Sequence, residues 1–265
     1  MKYTICFPLL LCLMASCNNA EKNTNLNQGG SIIPEKVMRE AIAKYPDSLL
    51  LKENLVQYYR DSGYYDMALA LTDSLIRKDS NNARLWDIKA TLHFENDDTG
   101  NAVRSFERAV AIVPDTKYLI SLGTLYAETK NPKALKLSDL LLADKNATAR
   151  KEPLFIKGLY FTYTGNKKKA IGLFDQALQL DYTYMFAYRE KAIALYDLTK
   201  YEEALNVLNK AVTLQNNFDE GYYWTGRCQE KLNRINDAID SYKTALLYDP
   251  GYFEARDALE RLGVK

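Results

Sequence analysis

His93 is the one histidine in this 265-residue chain. A lone imidazole cannot supply the paired nitrogen ligands of a zinc site, and no serine or cysteine motif stands ready to use it as a base. It reads as a packing residue. Asn96-Asp97-Asp98-Thr99-Gly100 gathers carboxylates without the twelve-residue ligand spacing of a calcium loop. Gly165-Asn166-Lys167-Lys168-Lys169 lacks both the upstream glycine and the following hydroxyl residue of a phosphate-cradling loop. There is no Gly-x-Ser-x-Gly elbow. Asn146-Ala147-Thr148 has the form of a glycosylation acceptor. The chain is therefore expected to be no enzyme and to need no metal and no cofactor. With 35 basic and 34 acidic residues it has no general electrostatic drive toward nucleic acid. The only basic run, Lys167-Lys168-Lys169, suits the solvated start of a helix.

What could position any working residue is a lattice. Ala68, Ala102, Ala134, Ala170, Ala204 and Ala238 recur at spacings of 34, 32, 36, 34 and 34 residues. So regular a period marks a stacked array of one supersecondary unit. The cleanest copies read Ala102-x3-Phe106-x2-Ala109-x4-Pro114 and Ala238-x3-Tyr242-x2-Ala245-x4-Pro250. Steps of four and three place these side chains on one helical face. A second small residue lies eleven or twelve positions upstream, at Ala90, Gly123, Gly158, Ala192 and Gly226, with Val56 in the first copy. It belongs to a preceding helix, with turns expected at Gly63, Asp97–Gly100, Lys130–Pro132, Gly165, Thr199 and Asn233. Small residues on both helices let the backbones approach while an aromatic side chain fills the groove.

This pattern resembles the tetratricopeptide repeat. Trp86 and Ala90 match the family's first helix in the second copy, and Leu122, Gly123 and Tyr126 match it in the third. Six repeats are expected near 49–82, 83–115, 116–150, 151–184, 185–218 and 219–252, the whole solenoid covering 34–265. The resemblance implies an all-α fold, a right-handed superhelical solenoid of antiparallel helix pairs. Glu35–Tyr45 resembles the second helix of a partial leading repeat, and Phe253–Leu262 a capping helix over the last apolar face. The third copy departs most, with Ser138 and Leu141 where an aromatic and an alanine are usual. Its elongated connection, Asp144–Glu152, implies a local change of superhelical twist.

Residues 1–17 read as a targeting segment. Lys2 supplies charge, Tyr3–Leu13 a short apolar stretch, and Met14-Ala15-Ser16-Cys17 resembles a bacterial lipobox. The apolar run is well short of the roughly 20 residues a spanning helix needs. Cys17 is the expected lipid attachment site; the alternative is ordinary signal cleavage with Cys17 incidental. Residues 18–33 read as a flexible polar tether. Asn18 after the cysteine favours the outer membrane by analogy with enteric bacteria, on its periplasmic face. Cys6 and Cys12 leave with the signal, so Cys228 stands alone as a buried core thiol.

In the family, first helices line a concave groove. The first three copies present Glu53, Gln57, Arg60, Asp87, Thr91, Phe94, Thr124 and Glu128 there, a mostly polar set. The last three present Phe155, Leu159, Tyr163, Phe186, Arg189, Ile193, Tyr196, Tyr223 and Arg227, aromatic rings flanked by arginine, the usual make-up of binding hot spots. The competing reading packs several of these between repeats. The groove lacks the Lys and Asn pairing of a basic carboxylate clamp. The expected function is a lipid-anchored, non-enzymatic adaptor docking an envelope protein or peptide segment in that groove; the alternative is a solute- or glycan-binding lipoprotein stacking sugars on the same rings.

Overall fold

The computed structural model describes residues 35–143 and 149–264. Among the described residues every regular element is an α-helix, fourteen in all. Two compact units meet in the sequence at Ile112 and Val113. The first holds α1 (Glu35–Lys44), α2 (Leu49–Asp61), α3 (Tyr65–Lys78), α4 (Ala83–Glu95) and α5 (Thr99–Ile112). The second holds α6 (Thr116–Glu128), α7 (Lys133–Ala143), α8 (Lys151–Tyr163), α9 (Lys167–Leu180), α10 (Met185–Asp197), α11 (Tyr201–Leu214), α12 (Asp219–Lys231), α13 (Ile235–Tyr248) and α14 (Phe253–Arg261).

The helices obey the alanine lattice. Each first helix of a pair, from α2 through α12, has 13 residues. Each second helix has 14 except α7, which has 11. Between the two helices of every pair one residue takes a left-handed backbone: Gly63, Asp97, Lys130, Gly165, Thr199 and Asn233, with φ from 57° to 89°. At five of the six the following N–H reaches back five residues, as from Tyr64 to the Tyr59 carbonyl (2.8 Å), Asp98 to His93 (2.8 Å) and Lys200 to Leu195 (2.9 Å). That bond closes a Schellman motif and satisfies carbonyls the helix end would orphan. Only two of the six positions are glycine, so the others carry a steric cost, greatest for the β-branched Thr199.

The six lattice alanines are fully buried. Opposite them the first helix offers glycine or alanine to a large side chain from the second. A methyl group on Gly158 would lie 2.4 Å from the Phe174 ring, and one on Gly226 2.7 Å from the Tyr242 ring. The third pair solves its missing aromatic differently. Ser138 turns its hydroxyl back to the Ala134 carbonyl at 2.8 Å, and Gly123 is met by Ile156 of the next first helix and by Leu137. The first pair does the same with Thr72 and the Ala68 carbonyl, a departure the sequence pattern understated. Residues 1–34 and 144–148 lie outside the described residues, and with them the lipobox, the tether, the Asn146 acceptor and most of the elongated third connection.

Two outcomes test this account by thermal or chemical denaturation. Gly158→Ala should cost about 1–3 kcal/mol, because the Phe174 ring has to leave its rotamer. Thr199→Gly should add roughly 0.5 kcal/mol by relieving the left-handed backbone, while Asn233→Gly, where asparagine already tolerates that region, should be near neutral.

Candidate functional site

The stripe expected from the sequence lies on α8, α10 and α12 of the second unit, and the structure sorts its nine residues into two groups. Phe155 and Leu159 are buried. The Phe155 ring packs on Phe174 (centroids 5.7 Å apart) and Tyr184 (5.2 Å). Tyr223 is buried too, between Tyr242 (5.8 Å) and Tyr252 (5.0 Å), where it helps seat the capping helix α14. Arg189 is 4% exposed and held by Glu190 (Nε to Oε1, 3.0 Å) and by both carboxylate oxygens of Glu220 (2.6 and 2.7 Å). Phe155, Leu159 and Arg189 are therefore corrected from groove-lining to packing positions, whereas Tyr223, though buried, also lines a pocket beside Arg227. A first helix faces its own partner and also the next repeat, and spacing within one helix cannot separate the second duty from an open face. Tyr163, Phe186, Ile193, Tyr196 and Arg227 remain partly exposed.

Arg227 is the centre of what is left. Its Nη1 donates to Tyr223 Oη at 2.8 Å and its Nη2 to Tyr196 Oη at 3.3 Å. The guanidinium lies 5.3 Å from the Tyr196 and Trp224 ring centroids, within cation–π range. A pocket of about 420 Å³ opens beside it between α12 and α14, with Tyr196 at one wall and Glu254 and Asp257 across from it. Glu230, also in the lining, is occupied by both terminal nitrogens of Arg261 (2.6 and 2.8 Å) and by the Tyr242 hydroxyl.

Two of the polar set expected on the first repeats, Glu53 and Arg60, are committed to ion pairs. Arg84 Nη2 meets Glu53 Oε2 at 3.0 Å, and Arg60 Nε meets Glu95 Oε2 at 2.6 Å. Glu128 is unlike them. Its Oε1 is enclosed and has no hydrogen-bond partner among the described residues. Burial, together with the Glu190 charge and against that of Arg189, raises its carboxyl to about 7. Sequence reasoning placed Glu128 on a polar surface; only the burial of its helix end by neighbouring repeats reveals it.

The remaining sequence candidates are structural. His93 Nδ1 is 3.3 Å from Asp98 Oδ2, and burial lowers its pKa. Lys167 pairs with Asp197, and Lys169 lies 4.0 Å from the Phe161 ring centroid. Burial pushes the Cys228 thiol up to about 12, which keeps it unreactive. No cluster of potential metal ligands occurs among the described residues, and no described helix is long and apolar enough to cross a membrane.

Comparisons with known proteins agree with the fold. Residues 189–255 match the tetratricopeptide repeat family. A 91-residue stretch, 34% of the chain, is 34% identical to "Protein STIP1 homolog" of Dictyostelium discoideum and covers 16% of it. The chain spans less than two-fifths of the length of the curated relatives it matches. Among solved structures, a tetratricopeptide repeat protein from Parabacteroides merdae superposes with a TM-score of 0.71 at 19% identity, over 85% of this chain and 90% of that one. PilW, described as a type IV pilus biogenesis factor, superposes at 0.60 and 18% identity, over 79% and 97%.

The Glu128 carboxyl gives a signed pH prediction. Its folded pKa, about 7, lies above the ordinary 4.5. Its contribution is therefore most favourable below pH 4.5, declines as pH rises through 7, and is flat above. The span corresponds to at most about 3 kcal/mol. Glu128→Gln should gain stability relative to the parent chain between pH 5 and pH 8 in denaturant titrations; an unchanging difference would exclude a neutral buried carboxyl.

Proposed function

We propose, from the premise that the chain is a tetratricopeptide-repeat protein, that it is a non-enzymatic, lipid-anchored adaptor of the bacterial cell envelope. It docks a segment of a partner protein on the α10 and α12 face of its second unit. The observation that carries this reading is the half-exposed row Phe186, Ile193 and Tyr196 on α10 beside Arg227 on α12. Spacings of seven and three keep the α10 residues on one stripe. Aromatic and aliphatic side chains next to a rigidly held arginine form the kind of patch that concentrates binding energy.

The anchoring half of the proposal rests on Lys2, the apolar stretch Tyr3–Leu13 and Cys17 in its lipobox-like setting. A lipidated Cys17 followed by Asn18 suits the outer membrane, with the array on its periplasmic face. Three acyl chains hold a protein stably where one does not. A polar tether over 18–33, as its composition suggests, would reach roughly 20 Å. Holding the array near the membrane raises the local concentration of whatever it docks.

Two measurements check the two halves separately. Cys17→Ser should move the chain from the membrane to the soluble fraction and abolish labelling by a fatty-acid analogue. Ile193→Glu combined with Phe186→Glu should abolish recovery of an envelope protein crosslinked to the array in intact cells, with helicity and melting little changed. Undiminished recovery would sink the docking face. A saturable heat with oligosaccharides, lost in the same double variant, would favour a glycan ligand instead.

A further inference from the structure

Each basic side chain on α8 and α10 has a carboxylate partner: Lys151 with Asp181, Lys157 with Asp139, Arg189 with Glu190 and Glu220, Lys191 with Asp175. Arg227, on the next first helix, has none within ion-pair distance among the described residues. Its hydrogen-bond partners are two phenol oxygens, which orient the guanidinium without neutralising it. A guanidinium carries five N–H donors, so three remain for a ligand, enough for a bidentate carboxylate. A half-buried cation held rigid by neutral groups, beside an open pocket of about 420 Å³, is an unfinished ion pair.

The opposite wall qualifies what can finish it. Glu254 and Asp257 on α14 line the same pocket as Lys231, and among the described residues neither acid is within ion-pair distance of a basic side chain. Lys231 stands exposed beside them, while Glu230 and Arg261 neutralise each other. A free anion or a polyacidic tail approaching Arg227 therefore meets two uncompensated carboxylates, at a repulsive cost. An acidic side chain with a basic neighbour meets Arg227 with the first and Glu254 and Asp257 with the second.

We propose that this pocket seats an acidic side chain of the docked segment, internal to that segment and flanked by a basic residue, with Arg227 as the anchoring cation. The inference rests on the docking reading above and names the chemistry of its partner. It separates this site from one that captures a chain terminus, because the recognised carboxylate belongs to a side chain.

The test uses the full chain, immobilised, against a phage library of twelve-residue peptides whose C-termini are fused to the coat protein and offer no free terminal carboxylate. Enriched peptides should share an Asp or Glu beside a Lys or Arg. A synthetic, C-terminally amidated version of one should lose roughly tenfold in affinity when its acid is changed to the amide, the scale of one charge-assisted hydrogen-bonded contact. Arg227→Gln should lose about as much, and the peptide change should then have little further effect, as expected for two halves of one interaction. Enriched peptides without an acid, or a peptide change that leaves affinity intact, would overturn the inference while leaving the docking face standing. Absence of any enrichment would remove the docking reading and this inference with it. Since the peptide substitution leaves the protein untouched, the test survives even if Arg227→Gln perturbs folding.

Discussion

The close approach of a glycine or alanine on one helix to a ring on the next is the constraint from which the rest follows. At Gly158 and Phe174, and at Gly226 and Tyr242, the ring stands where a methyl group would be. That contact fixes helix separation and rotation together, because a rotated helix would present a larger side chain to the ring. Once rotation is fixed, the left-handed turn residue, the 13- and 14-residue helix lengths and the faces left outside are no longer independent choices. The third pair shows what happens without the ring. Ile156 arrives from the following repeat to meet Gly123, so that pair's groove is completed by its neighbour.

Charge is organised by the same lattice. Arg189 with Glu220, Lys167 with Asp197, Arg234 with Glu202 and Arg261 with Glu230 join residues 30 to 32 apart, close to one repeat. Most of these are partly exposed and contribute little each. Arg189 differs, since it and Glu190 are buried. Removing either partner there leaves an uncompensated charge in low dielectric, so the pair constrains register more strongly than it adds stability. Against so regular a scheme, the residues that fail to pair stand out. Glu128 has an enclosed oxygen with no hydrogen-bond partner among the described residues, and its carboxyl pKa is raised in response. Arg227 cannot respond in that way, because a guanidinium does not deprotonate in proteins.

Much of the fold was legible in the sequence because its determinants are local. An alanine every repeat, a small residue eleven or twelve positions upstream and a turn residue between them specify a helix pair without reference to anything distant. Even so, Thr72 escaped notice as a counterpart of Ser138, since its hydroxyl bond to the preceding turn has no signature in hydrophobic spacing. The site was half legible. Phe186, Ile193, Tyr196 and Arg227 follow from periodicity. Phe155, Leu159 and Tyr223 share that periodicity and yet are buried; Phe155 packs on Tyr184 and Tyr223 on Tyr252, each from the segment that follows its own helix pair. Whether a stripe faces solvent or the next repeat depends on contacts between repeats, which no single helix encodes.

The same distinction bears on the pocket between α12 and α14. Within a stack, a first helix has a following first helix to cover part of its inner stripe: α10 covers α8, and α12 covers α10. α12 is followed instead by the nine-residue α14, whose residues Glu254 and Asp257 are polar. One repeat of 34 residues carries Arg189 to Tyr223, Ile193 to Arg227 and Glu220 to Glu254, so α12 sets its arginine one helical turn further along than α10 does, and Glu254, the acid at the Glu220 position, forms no ion pair with it among the described residues. The open pocket is then a matter of register: an arginine displaced by one turn from the acid that pairs with its neighbour in α10 leaves a place that an incoming acidic group can take.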